Sequence, residues 1–399
     1  MILQHGTPQQ VGMLPARIDR IRDLCGRWVE EGHTPALSVC VARRGVIVLQ
    51  EAFGRLTPEA DAPPLETTSL YPIASVTKPI TATLVMQLVE EGRVGLNRPV
   101  QDYIPEVRSK GAKAMLVHHL LTHTSGYVWY DEEPMLSHMA RRVAEGFRLP
   151  PCEPTQHPLA NGLLQLCIDA PLVRPPGELM TYSNHNYELL AEIVRRVSGK
   201  PIWERARDRI FGPLGMDDSY YVVPESESAR VVQRPPEAPM GAPQSPFMQG
   251  FGSRQWQEMP SGGGGVFSTP RDLAVFGQMF LNGGCYGDTR ILSPASVAAM
   301  TRDQIPGIAA CFIGHDLSPA SWGYGWGIES TAKWRYYRGS LAPLGTLDHG
   351  GHGGCMMWVD MQNQVVGVYL EVTLRVTEQV ELLWNFDLFQ NAVYAAVDD

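Results

Sequence analysis

The chain has 399 residues, of which 44% are hydrophobic and 19% are charged, and its formal net charge at pH 7 is -9. This composition is typical of a globular protein and excludes a chain that is disordered throughout. The length exceeds that of most single-core domains, so it predicts two structural units or one elaborated domain. Since the net charge is negative and the basic residues are scattered, we do not expect nucleic acid as a partner.

Neither the amino terminus nor the cysteines indicate export. The first 20 residues lack a basic patch followed by a long apolar stretch, which argues against a secretory signal. No run of about 18 apolar residues predicts a membrane span. The cysteines are odd in number and form no C-x-x-C pair, so we expect free thiols and a cytoplasmic location. The seven are Cys25, Cys40, Cys152, Cys167, Cys285, Cys311 and Cys355.

The first 91 residues predict a helix, a β-hairpin and a second helix. Apolar residues recur at helical spacing between residues 14 and 32. Two β-branched runs follow, Leu37–Ala42 and Val46–Glu51, and the short polar segment between them favours a hairpin. The next apolar helix runs from about Ser75 to Glu91, with Pro79 early enough to be tolerated. Ser75 is therefore predicted to lie at a helix start.

The middle of the chain, residues 95–265, predicts helices and loops. One helix is predicted over residues 186–198, and the proline-rich stretches at 149–158 and 223–246 indicate surface loops. Thr269 is placed to cap another helix, which Pro270 opens and Asn282 closes.

Strands return near the end of the chain, over Met356–Asp360 and Val365–Val372, and a last helix follows from about Thr377. Strands at both ends around a helical middle predict an α+β fold in which both termini complete one antiparallel sheet flanked by helices. We expect residues 1–70 and 266–399 to form that α/β unit, residues 71–265 to form an inserted helical lobe, and the active site to lie between them.

An S-x-x-K tetrad, Ser75-Val76-Thr77-Lys78, opens the second predicted helix. Three residues apart on a helix, the hydroxyl and the amine share a face and come within hydrogen-bond reach. The helix start also stabilises negative charge, which favours Ser75 as a nucleophile. The alternative is a capping serine beside a solvated lysine.

The tetrad alone is weak evidence, because Ser330-Thr331-Ala332-Lys333 repeats the spacing. Ser330, however, follows a glycine-interrupted stretch without a helix-start signal. No G-x-S-x-G nucleophile elbow occurs in the chain, which argues against an α/β-hydrolase.

A second motif, Tyr182-Ser183-Asn184, precedes the predicted helix at 186–198. The segment PGELMTYSNHNYELLAEIVRRVSGK resembles the Y-x-N block of class C β-lactamases and family VIII carboxylesterases, which are penicillin-recognising serine hydrolases. The resemblance implies a β-lactamase/transpeptidase-like fold. It also implies that Tyr182 accepts the proton of Ser75, with Lys78 as the cation that lowers the pKa of a phenol, and that Asn184 orients the substrate. The alternative is a buried structural tyrosine.

The third motif of that family is K-T-G on a strand, and its esterases often carry H-x-G or W-x-G. Here His349, Gly350 and Gly351 occupy the matching positions. By the resemblance these three line the substrate site, and the backbone N–H groups of Ser75 and His352 form the oxyanion hole. A neutral His349 is a poorer partner than lysine for the carboxylate of a β-lactam, which favours ester substrates.

Other glycine and histidine clusters are interpreted as scaffold. The runs His119–Gly126, Ser261–Gly265 and Gly323–Gly327 match the family but lack the pattern of a phosphate loop. Two sets of histidines are candidates for a metal site: His118, His119 and His123, and His349 with His352. The first set lacks the glutamate of H-E-x-x-H, so we expect no metal and no other cofactor.

The sequence therefore predicts a carboxylesterase that cleaves small esters through an acyl-enzyme on Ser75. The alternatives on the same site are a β-lactamase, a D-aminopeptidase or an acyltransferase. A protein that only senses acyl or peptidoglycan-like ligands is a further alternative, although it would not need an intact proton relay. Trp129 and Tyr130 are candidates for shaping the substrate pocket. The oligomeric state and the natural ester or amide substrate are left open.

Overall fold

A central sheet of seven strands organises the protein, and its strands come from both ends of the chain. The structure is a computed structural model. It describes residues 1–128, 135–146, 148, 151–238, 241, 250–312, 315–316, 320–331, 338–374 and 385–399.

The strands are β1 Gln4–His5, β2 Ala36–Arg43, β3 Val46–Gly54, β4 Tyr71–Pro72, β5 Leu179–Thr181, β6 Phe267–Ser268, β7 Cys285–Tyr286, β8 Thr289–Arg290, β9 Ala309–Phe312, β10 His315–Asp316, β11 Gly327–Ile328, β12 Leu347–Gly351, β13 Cys355–Asp360 and β14 Val365–Glu371. The α-helices are α1 Pro15–Glu30, α2 Thr77–Glu90, α3 Val117–Leu121, α4 Met135–Ala144, α5 Pro158–Ile168, α6 Asn184–Ser198, α7 Ile202–Ala206, α8 Gly212–Leu214, α9 Arg254–Gln257, α10 Pro270–Leu281, α11 Pro294–Thr301 and α12 Phe386–Ala395.

The order of strands in the large sheet is β1-β3-β2-β14-β13-β12-β11. The hairpin of β2 and β3 turns at Arg44 and Gly45, whose φ angles of 49° and 80° suit a two-residue turn. Within this sheet all pairings are antiparallel except that of β1 with β3. The predicted antiparallel sheet and α+β class are thus confirmed, with one short parallel strand added at the edge.

Helices cover both faces of this sheet, so its inner strands are buried on both sides. Helices α1 and α12 pack on one face, where Trp28, Trp358 and Phe389 belong to one apolar cluster. Helix α10 packs on the other face, against β2, β13 and β14, within the larger core that also includes α2 and α6. The protein is therefore layered as helix, sheet and helix.

Most predicted elements appear with shifted ends. A single 3₁₀ turn, Ala74–Val76, precedes α2, which begins at Thr77. Thr269 caps α10 by accepting a hydrogen bond from the backbone N–H of Asp272. The predicted start of the last helix at Thr377 lies outside the described residues. The division of the chain at residues 70 and 266 stays a prediction.

Candidate active site

Ser75 lies in the short turn that connects β4 to α2. The residue before it, Ala74, has a φ of 48°, in the left-handed region that residues with side chains rarely adopt. Such a conformation costs about 1–3 kcal/mol and persists only where the surroundings impose it. Ser75 is partly exposed, whereas Lys78 is fully buried. Ser75 thus keeps some contact with solvent, while the amine of Lys78 is enclosed.

The amine of Lys78 has three close polar contacts. Its Nζ lies 2.9 Å from Oγ of Ser75, 2.7 Å from Oδ1 of Asn184 and 2.7 Å from the carbonyl oxygen of Gly263. The last two atoms can only accept hydrogen bonds. A neutral amine has two N–H groups and one lone pair. If the two acceptors take both N–H groups, the lone pair is left for the hydroxyl of Ser75.

Burial lowers the pKa of Lys78 well below its usual range, and the nearby carboxylate of Glu188 opposes this effect in part. The cause is the loss of water around the charged form, which penalises the ammonium. A lowered pKa makes a lysine more readily available as a base. The direction of the pKa shift and the 2.9 Å contact with the Ser75 hydroxyl are both those expected of a base for Ser75.

The glycine run Ser261–Gly265 lies directly against the start of α2. Thr81 donates to the carbonyl oxygen of Gly262, next to the Gly263 carbonyl that accepts from Lys78. On its other side the run contacts α6, where a Cβ at Gly262 would clash with the carbonyl oxygen of Tyr187, so only glycine allows that approach. From the sequence this run is expected to be scaffold, and the acceptor that it provides for Lys78 is not predicted. The density of glycines was the available signal.

Tyr182 lies beside the amine and is the residue directly after β5. The Nζ of Lys78 is 4.9 Å from the centroid of its ring. The ring of His123 stacks on the ring of Tyr182, with 4.3 Å between the centroids. The ring of Trp322 meets that of Tyr182 edge-on, with 6.0 Å between the centroids. The backbone oxygen of His123 accepts from the N–H of Thr181. This holds the chain just before Tyr182, a role that the sequence analysis missed.

His349 stands on β12 within the same cluster of rings. Its centroid is 6.1 Å from that of Tyr182 and 5.7 Å from that of Trp322. Nδ1 lies 2.8 Å from the carbonyl oxygen of Gly350, and since a carbonyl only accepts, Nδ1 carries the proton. Burial, together with repulsion from Lys78, lowers the pKa of His349 to about 3. His349 is therefore neutral at physiological pH.

The end of β12 approaches the turn that carries Ser75. A Cβ at Gly351 would clash with the carbonyl oxygen of Ile73, which explains the glycine. His352 follows in the turn between β12 and β13, and the next residue, Gly353, accepts a 2.7 Å hydrogen bond from the buried Arg234. The assignment of the Ser75 and His352 backbone N–H groups to an oxyanion hole stays a prediction.

The histidines considered for a metal have structural partners. Nδ1 of His119 accepts from the N–H of Leu116, Nδ1 of His118 contacts the hydroxyl of Tyr324, and Nδ1 of His123 accepts from the N–H of Ser183. In the ranges that the structure describes, no group of three or more His, Cys, Asp or Glu residues could hold a metal ion.

Two further predictions fall partly outside the described ranges. Trp129 and Tyr130, the candidates for shaping the pocket, are not among the described residues. Of the second S-x-x-K tetrad, Ser330 is described as coil, while Lys333 is not described. Among the helices of the described segments, none is long and apolar enough to cross a bilayer.

Comparison with known proteins places this chain in a family. The Beta-lactamase family model matches residues 21–383. An uncharacterized protein of Mycobacterium tuberculosis (strain CDC 1551 / Oshkosh) is 30% identical over 311 residues, which cover 71% of each chain.

Solved structures share the fold. A penicillin-binding protein homologue from Caulobacter crescentus superposes with a TM-score of 0.73 at 21% identity, over 96% of this chain and 99% of that one. A family VIII carboxylesterase superposes with a TM-score of 0.70 at 22% identity, over 92% and 94% of the two chains. The family match over most of the chain and the shared fold agree, and the chain therefore belongs to the Beta-lactamase family of serine hydrolases.

Proposed function

We propose that the protein is a carboxylesterase that hydrolyses small esters through an acyl-enzyme on Ser75. The observation that carries the proposal is the contact set of Lys78. Its Nζ faces the Ser75 hydroxyl at 2.9 Å, while Asn184 and Gly263 take its N–H groups. This arrangement favours Lys78 as the base that takes the proton of Ser75, a role that the resemblance had implied for Tyr182.

The reaction then runs in two halves. Ser75 attacks the acyl carbon as its proton passes to Lys78, and the backbone N–H groups of Ser75 and His352 stabilise the oxyanion. The proton returns to the departing alcohol by way of Tyr182, whose ring lies beside the amine. A water molecule, deprotonated by the same groups, attacks the acyl-enzyme and releases the acid.

The preference for esters over β-lactams rests on His349. Where the family motif carries lysine, this chain has a neutral imidazole enclosed by aromatic rings. A substrate carboxylate placed there would lose a charged hydrogen bond worth about 1.5–3 kcal/mol. Similarity to the family VIII carboxylesterase supports the same choice.

The test compares p-nitrophenyl butyrate with nitrocefin. We expect kcat/KM to favour the ester by roughly 10- to 100-fold, as the lost ion pair implies. Ser75→Ala should abolish turnover and the acyl adduct detected by intact mass. Ser330→Ala, in the other S-x-x-K tetrad, is the matched control and should retain full activity.

Three outcomes would contradict the proposal. Preferential nitrocefin turnover would make the protein a β-lactamase. Turnover that survives in Ser75→Ala would place the nucleophile elsewhere. Binding of acyl ligands without any turnover would make the protein a sensor.

A further inference from the structure

Glu188 is a buried carboxylate one helical turn after Asn184 on α6, and it is 4% exposed. Its Oε1 accepts from the hydroxyl of Ser261 at 2.5 Å and from the N–H of Gly263 at 3.2 Å. Its Oε2 accepts from the N–H of Gly262 at 3.3 Å. Glu188 has no role in the reaction proposed above.

The same short loop connects Glu188 to the base. Gly263 donates its N–H to Glu188 and offers its carbonyl oxygen to Nζ of Lys78. A Cβ on Gly263 would lie 3.3 Å from Oε1 of Glu188 and 3.4 Å from Oδ1 of Asn184, so the loop is confined between these side chains. Helix α6 therefore holds Lys78 twice, directly through Asn184 and indirectly through Glu188.

The hydrogen bonds of Glu188 favour its charged form. Two backbone N–H groups, which can only donate, and one hydroxyl point at its two oxygens. A protonated carboxyl would place a fourth donor among them. Burial raises the pKa of Glu188, and these donors oppose that rise. Lys78 is the cation whose charge lowers the pKa of Glu188, and the carboxylate in turn raises the pKa of Lys78.

We propose that Glu188 is a positioning residue that holds the Ser261–Gly263 loop against the amine of Lys78 and sets, through its negative charge, the pH range in which Ser75 is activated. The inference deepens the proposed function, since it supposes that Lys78 deprotonates Ser75. The alternative is a carboxylate that only braces the loop, in which case its charge has no effect on the base.

Other titratable groups also surround this pair. Lys78 is faced by His123 and His349, both held neutral by burial, and by the rings of Tyr182 and Tyr187. Glu188 is near the thiol of Cys167 and the phenol of Tyr221, and it lines a cavity. That cavity is also lined by His157, Glu192 and Arg195, the last two of which form an ion pair.

The test measures the pH dependence of Ser75 reactivity without relying on ester turnover. A fluorophosphonate probe reacts when Oγ of Ser75 bonds to phosphorus, fluoride leaves, and the hydroxyl proton passes to Lys78. The labelling rate, followed by intact mass, rises with pH as Lys78 loses its proton. Glu188→Gln removes the charge that favours protonated Lys78, so we expect the midpoint of this rise to move about one pH unit lower.

Two controls separate charge from packing. Glu188→Asp keeps the charge and should keep the midpoint, although its maximal rate falls. Glu192→Gln removes a buried charge one turn further along α6 that pairs with Arg195 and Arg196 instead of with the loop, and it should also keep the midpoint. A Glu188→Gln midpoint that equals the wild-type value, or moves to higher pH, overturns the proposal.

If Glu188→Gln does not fold, Ser261→Ala tests the same contact. This substitution removes one donor to Glu188 and leaves the sequence of α6 unchanged. We expect its maximal labelling rate to fall about tenfold, as loss of a hydrogen bond to a charged group implies; an unchanged rate overturns the proposal. If Ser75 labels normally and yet p-nitrophenyl butyrate is not hydrolysed, the proposed esterase function fails while the role of Glu188 is still tested.

Discussion

The buried imidazole of His349 predicts that the protein loses stability in mild acid. Burial lowers the pKa of His349 to about 3, whereas imidazole in an unfolded chain titrates near pH 6.5. Below about pH 6.5 the unfolded state binds a proton that the folded state does not. The stability due to the neutral ring is therefore complete above that pH and is lost as the pH falls towards 3. At pH 4.5 the loss from this group is about 3 kcal/mol, from about two pH units at roughly 1.4 kcal/mol each.

Urea unfolding of the wild type and of His349→Asn, each at pH 7.0 and pH 4.5, measures this term. The asparagine side chain can still donate to the carbonyl oxygen of Gly350, and it does not titrate. Any packing cost of the substitution is present at both pH values and cancels in the comparison. We expect the wild type to lose about 3 kcal/mol more than the variant on acidification.

Other titrating groups remain in both proteins and also cancel. Burial lowers the pKa of His185 to about 3 as well, so His349→Asn still loses stability in acid, only less steeply. Replacement of the exposed His5 by Asn is the control and should leave the acid loss unchanged. Equal acid losses in the wild type and in His349→Asn would refute the assignment of a neutral, buried imidazole.

Three further predictions concern the elements around Ser75. Lys78→Met should lower ester turnover about 1,000-fold in steady-state assays, because it removes the base at similar volume; residual activity above a tenth would contradict that role. Gly351→Ala should lower stability by about 1–3 kcal/mol in urea unfolding, because its Cβ meets the Ile73 carbonyl oxygen. Gly26→Ala is the control, because a Cβ at Gly26 would make only an ordinary contact with Phe53. Equal losses of stability in the two variants would refute the clash at Gly351. Ala74→Gly should raise the free energy of unfolding by about 1 kcal/mol, because glycine accepts the φ of 48° without strain. A lower free energy of unfolding would show that the backbone at Ala74 is not strained.

Local patterns in the sequence predicted several elements of the fold. Helix α1, the β2–β3 hairpin and α6, which begins at Asn184, are each specified by periodicity within a few residues. The spacing of Ser75 and Lys78 places them on one helix face, and the structure finds their polar atoms 2.9 Å apart. These features could be predicted because they depend on neighbours in the chain.

The parts that were missed depend on backbone atoms and distant contacts. The carbonyl oxygen of Gly263 accepts from Lys78 across 185 positions of sequence. Because every residue has a backbone carbonyl, the sequence does not single this one out. His123 supports Tyr182 from a different segment. Strand β1 has two residues, which is too short for any periodic signal, so its parallel pairing was not predicted.

The three contacts of Lys78 do not all depend on the same parts of the molecule. Ser75 and Lys78 share one turn, whereas Asn184 and Gly263 reach the amine from other segments. Any loosening between those segments and α2 would therefore leave the serine and lysine side by side and admit water to the amine. Rehydrated, the amine would regain its proton and stop acting as a base. Reactivity would thus fade under gentle heating or low urea before the fold itself is lost.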